Sequence, residues 1–147
     1  MVLAGTHVQF VATVECDQLL RVGDRAGRSL PAHLTSGGKA LLATLPPEEV
    51  TARYTGSDVA IQPLRRTLSL VRNRGFAINN QETETGVTAI GVVVRSRTDE
   101  AVAAITMAMP SIRFRREELP GIVSALGRTV ETARPLLSGT AAPGDHG

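Results

Sequence analysis

Gly37, Gly38 and Lys39, in the stretch TSGGKALLA, are the residues of this sequence whose types and spacing most suggest chemistry. A glycine pair ahead of the chain's only lysine, at the start of an apolar helix, resembles a phosphate cradle. A phosphate-binding P-loop, however, also needs a glycine five residues before the Gly-Lys pair and a hydroxyl after the lysine, and those positions hold His33 and Ala40. The P-loop reading fails. What survives is a helix start whose first amides, those of Ser36 and Gly37, lack intrahelical acceptors, with glycines that let an anion approach the backbone. An organic carboxylate suits such a place. The plainer reading is a capped helix whose glycines allow close packing on a sheet, with Lys39 a surface charge.

The other reactive residue types are sparse. His33 has no Asp or Ser arrangement around it that resembles a triad, and three scattered histidines offer no metal-ligand spacing. The single cysteine, Cys16, excludes an internal disulfide and a cysteine-built zinc site, and reads as an inert thiol in a turn. Arg113, Arg115 and Arg116 are followed at once by Glu117 and Glu118, the pattern of a solvated helix entrance. With a net charge of only +2, dispersed cations, no Trp, one Tyr and three Phe, direct nucleic-acid binding is disfavoured. No apolar run approaches the roughly 20 residues of a membrane span, and MVLAGTHVQF lacks the form of a signal peptide. The expectation is a non-enzymatic, cytoplasmic protein without metal, cofactor or membrane contact.

The elements that must position the helix mouth can be read from periodicity and punctuation. A length of 147 residues suits one domain with one core. HVQFVATVE (7–15) alternates, and QLLRV (18–22) continues the apolar character, which predicts a hairpin. GDRAGRSLP reads as a loop. Thr35 or Ser36 caps a helix to about Leu45, Pro46 and Pro47 stop it, and Pro47-Glu48-Glu49 opens a second short helix. A third helix is expected over about 63–73, ended by Gly75. FAINN, then VTAIGVVVRS (87–96) and AVAAITMAM (101–109), read as strands, and the nearly all-apolar last one is expected to lie centrally, covered on both faces. The last helix covers 117–137, with Leu119, Ile122, Val123, Leu126 and Val130 as its inner stripe. SGTAAPGDHG (138–147) reads as a disordered tail.

Taken in order, the blocks GRSLPAHLTSGGKALLA, VRNRGFAINNQETETGV, AIGVVV and AVAAITMAMP resemble the effector-binding domain of IclR-type bacterial transcription regulators, over about His7 to Leu137. The second block keeps the Arg-Gly-aromatic step of Arg74 to Phe76, with Glu82 and Gly86. The resemblance implies an α+β, GAF-like or profilin-like fold: an antiparallel sheet of about six strands with flanking helices, around a small-molecule pocket. It places one domain at 1–137, and a winged helix-turn-helix ahead of it in the longer regulator. DNA would be contacted only through that head, and the protein would be a homodimer or tetramer.

The pocket positions that the resemblance carries over are Leu30 as wall, Ser36 and Gly37 as amide donors to a carboxylate, and Asn79, Ala89, Thr106 and Ala108. Asn79 stands where the family often has Asp, Ala89 replaces a small or thiol-bearing residue, and Thr106 and Ala108 replace two hydroxyl residues. The implied effector is a small organic acid with an apolar or aromatic portion. Two rivals remain at this point: an oligomerisation module of the same regulator with no functional pocket, and a GAF-type sulfoxide reductase, which would need a second redox thiol.

Overall fold

Six strands form within residues 1–12 and 26–137, the part of the chain that the computed structural model describes. β1 (Val2–Ala4), β2 (His7–Gln9) and β3 (Ser29–Pro31) make one antiparallel sheet in that order; β4 (Ala77–Asn80), β5 (Val87–Arg95) and β6 (Ala101–Pro110) make another. The two meet at one seam. Met1 donates to the Ala104 carbonyl at 2.8 Å and Ala104 donates back to the Met1 carbonyl at 2.9 Å, an antiparallel pair that sets β1 beside β6. Cys16, the expected strand 18–22 and the tail 138–147 lie outside the described residues.

Four helices follow the expected punctuation. α1 (Ser36–Leu42) is capped by Thr35, α2 (Pro47–Arg53) has proline in its first turn with Glu48 and Glu49, and α3 (Ile61–Arg74) ends at Gly75 with φ 85°, the left-handed region that glycine enters freely. α4 (Leu119–Ala133) is flanked by 3-10 turns at Arg116–Glu118 and Arg134–Leu136 that extend it toward the expected 117–137. Each face of the second sheet has its own core. Ala77, Val93 and Ala104 pack with Leu41, Leu42, Val50, Leu64, Leu68 and Val71 from α1, α2 and α3. Ile90 and Val92 pack with Leu126 and Val130, joined by Leu119, Ile122 and Val123, the inner stripe read from the sequence. Fully burying a side chain such as Leu42, Leu68 or Ile90 contributes about 1.5–3 kcal/mol.

The expectation that the apolar strand 101–109 lies centrally holds in part. β6 lies between β5 and β1, with α1 and α4 packed against it, but β1 is only three residues long and bonds it at Ala104, so β6 is left exposed at Met107 and Ala108. The strand buried along most of its length is β5, from Thr88 to Val92; the run of β6 is mostly alanine and methionine, which a partly open position tolerates more easily than a row of Ile and Val. β1 and β3, of three residues each, are too short to show an alternation, and Ser29–Pro31 pairs with β2 where the sequence suggests loop.

Candidate functional site

Thr35 takes extended backbone angles (φ −97°, ψ 150°) and its Oγ1 accepts from the Gly38 amide at 2.9 Å, so it is the cap and Ser36 the first helical residue. α1 then lies directly on β5. A side-chain carbon added at Gly91 would come within 2.6 Å of the Ser36 carbonyl carbon and 2.7 Å of the Gly37 nitrogen, so only glycine lets the helix start rest on the strand. Gly38 is held as tightly by the Ala32 carbonyl, whereas Gly37 faces the flexible Met1 side chain.

Register supplies the rest. Asn79 pairs with Ala89 and Ala89 with Ala108, while Ala77 pairs with Gly91 and Gly91 with Thr106. These rows alternate along the same strands by two residues, so all six lie on the face that α1 covers. The sheet and helix thus bring together Ser36, Gly37, Asn79, Ala89, Thr106 and Ala108. Leu30 belongs to the other sheet, paired with Val8 and packed against the first core, and shares neither row. Burial falls off across the row: Asn79 and Ala89 are buried and Ala108 is exposed, so the small-residue floor opens toward β6.

Asn79 has local work. Its Oδ1 accepts from the Glu82 amide and its Nδ2 donates to Thr83 Oγ1, each at 2.8 Å, pinning the β4–β5 loop. An aspartate could not make the second bond as donor. One N–H and one lone pair of the side chain stay available.

Lys39 is not the surface charge its type suggests. It is buried; its Nζ donates to the Ile78 carbonyl at 3.1 Å and pairs with the Glu82 carboxylate. The lysine of the Gly-Lys step therefore ties α1 to β4 and to its loop. Sequence reasoning singled out Lys39 and Glu82 separately and missed the pair. A signal was present: all cations but this one are arginine, and a compact ammonium is the cation that a narrow site between helix and strand edge accepts.

His33 and Tyr54 meet edge to face, with ring centroids 5.7 Å apart, and His33 Nδ1 and the Tyr54 hydroxyl are buried without hydrogen-bond partners. Burial pushes the His33 pKa down, against the pull of Glu82 and with the push of Lys39 and His7; burial pushes Tyr54 up. Among the described residues no group of three His, Cys, Asp or Glu could hold a metal.

Comparison with known proteins adds the lineage. The family described as bacterial transcriptional regulator IclR C-terminal matches residues 1–134. The transcriptional regulator SauR of Cupriavidus necator is 31% identical over 133 residues, 84% of this chain and 53% of SauR. The chain spans about half the length of the curated relatives it matches. A transcriptional regulator of Rhodococcus sp. RHA1 superposes with TM-score 0.82 at 29% identity, over 88% of this chain and 57% of that one. The inducer-binding domain of PobR from Acinetobacter, a double mutant in complex with 3-hydroxybenzoic acid, superposes with TM-score 0.70 at 28% identity, over 76% of this chain and 70% of that one.

Proposed function

The chain belongs to the IclR family of bacterial transcriptional regulators, as a C-terminal regulatory domain, and we propose that it senses a small organic carboxylate between the start of α1 and the Asn79–Ala89–Ala108 row. The observation that carries this reading is the small-residue floor that opens toward β6 beside the Ser36 and Gly37 backbone. The PobR domain, solved with an aromatic acid, supports it. Ala89 and Ala108 offer apolar wall and no hydrogen bonds. A ligand rich in hydroxyls would leave buried groups unpaired at about 1–3 kcal/mol each, so a monocarboxylate with an apolar or aromatic body fits better than glyoxylate or pyruvate.

In the regulator to which it belongs, residues 1–137 form the sensing domain of a cytoplasmic homodimer or tetramer, and DNA is read by a separate winged helix-turn-helix. Effector binding changes the relation between subunits and so the spacing of those heads. A second reading, an oligomerisation module without a functional pocket, is favoured by two observations: the Met1 side chain lies against Gly37, and both polar atoms of Asn79 are already engaged. A thermal-shift screen separates the two. Aromatic and branched monocarboxylates should raise the melting temperature while nucleotides and sugar phosphates do not; a flat response to every acid supports the module.

A further inference from the structure

β4 pairs with β5 only from Thr88 to Gly91, and among the described residues no strand continues beside Val92–Arg95 on that side. A cleft of about 340 Å³ lies there, at the other end of α1 from Ser36. It is walled by Ala40 and Ala43 of α1, Val71 of α3, Val92 and Val93 of β5, and Val123 and Val130 of α4. Both hydrophobic cores contribute to it, since Val93 belongs to one and Val92 to the other. The volume is at the lower end of the range of small-molecule sites, and an uncovered strand edge above an apolar floor is a liability that folds usually close.

Two further features point to an occupant. Gly127 lies in the middle of α4 and lines the cleft, yet a side-chain carbon there would meet nothing within 4 Å. No neighbour in the fold requires this glycine, and it weakens the helix; what its lack of a side chain provides is room in the cleft. The rim is cationic. Arg72 is fixed by its Nε donating to the Ala43 carbonyl at 3.0 Å, and Arg95 by its Nη1 donating to the Asp99 carbonyl at 2.9 Å. Neither is ion-paired among the described residues, while Glu131, the rim's carboxylate, already has Arg134 at 3.9 Å.

We propose that this cleft is a second binding site, for an apolar monoanion whose body lies on the valine floor beside Gly127 and whose charge meets Arg72 and Arg95. It shares no lining residue with the Asn79–Ala89–Ala108 row, so the two sites can be read by different reporter residues.

The test is a methyl NMR titration with naphthalenesulfonate, and with neutral naphthalenemethanol as comparator. The methyl signals of Val92, Val93, Val123 and Val130 should move with the anion, while those of Ala89, Thr106 and Ala108 stay, and the alcohol should bind at least about tenfold more weakly. Gly127→Leu, which fills the cleft with a better helix former, should abolish the valine shifts with no loss of melting temperature, and Arg95→Gln should weaken binding about tenfold. Shifts confined to Ala89, Thr106 and Ala108 would overturn the cleft while leaving the effector site standing. Still valine signals at millimolar probe, or undiminished binding by Gly127→Leu, would overturn it as well.

Discussion

Lys39 and Glu82, 43 residues apart in the chain, form an ion pair with one hidden and one open side: the lysine side chain is 6% exposed and the glutamate 39%. The asymmetry decides what each truncation costs. Removing Glu82 strands a buried ammonium on the Ile78 carbonyl alone, whereas removing the ammonium leaves a carboxylate that can turn to water. Glu82→Ala should therefore cost about 2 kcal/mol of stability and Lys39→Met about 1 kcal/mol or less. Urea denaturation of the two variants reads the order, and the reverse order would show that Glu82 does not carry the pair.

Gly91 and Gly127 should respond to alanine with opposite signs. Gly91→Ala forces the start of α1 off the strand, because the new carbon would meet the Ser36 and Gly37 backbone, which cannot rotate away; about 2–3 kcal/mol should be lost. Gly127→Ala meets open space and gains helix propensity, about 0.5–1 kcal/mol. Paired denaturation curves check both.

His33 gives the stability a slope on the acid side. Its pKa in the folded protein lies below the ordinary value of 6.5, first because it is partly buried. As pH falls through about 6.5 the unfolded chain takes up a proton that folded His33 does not. The stability present above that pH is lost progressively until the lowered folded value is reached, and the curve then levels. The charges of Glu82, Lys39 and His7 act on the ring and help set where levelling begins, while Tyr54 packs against it edge to face. Denaturation midpoints followed from about pH 7.5 to 5 should fall in the wild type and fall less in His33→Gln; equal slopes would remove His33 from the account.

The helices were legible because their ends carry chemistry of their own. Thr35, Pro46 with Pro47, and Gly75 mark boundaries by capping, by a missing donor and by a positive φ, all local effects. The full covering of β6 was not legible, because apolar content tells that a strand can be covered, not how far its neighbours reach: β1 meets β6 at Ala104 and stops, leaving Met107 and Ala108 exposed, whereas β5, with Ile90 and Val92, is covered. At the site, residue types were legible and partners were not. Nothing local to Asn79 tells that its amide holds Glu82 and Thr83, and nothing local to Lys39 tells that Glu82 folds back onto it. Those relations exist only once β4 is in register with β5 and α1 rests on Gly91.

The last prediction concerns the proposed effector site between α1 and the Asn79–Ala89–Ala108 row. If an aromatic or branched monocarboxylate binds there, it should stabilise the fold by about 2.7 kcal/mol at a hundredfold excess over its dissociation constant. The variants that read the placement must leave the fold intact. Gly37→Glu is a poor choice alone, since a side chain at Gly37 has to displace Met1 before it can meet a ligand. Ala108 is exposed and lies across from Ala89, so Ala108→Phe can point into the open end of the row at little cost to packing. It should abolish the ligand-induced rise in melting temperature while leaving the ligand-free value within a few degrees. Thr106→Val keeps shape and removes the hydroxyl of the half-buried residue paired with Gly91, and should weaken binding by about 1 kcal/mol, about fivefold. An authentic effector whose binding survives Ala108→Phe undiminished lies elsewhere on the domain, and the assignment of Asn79, Ala89, Thr106 and Ala108 then falls with it.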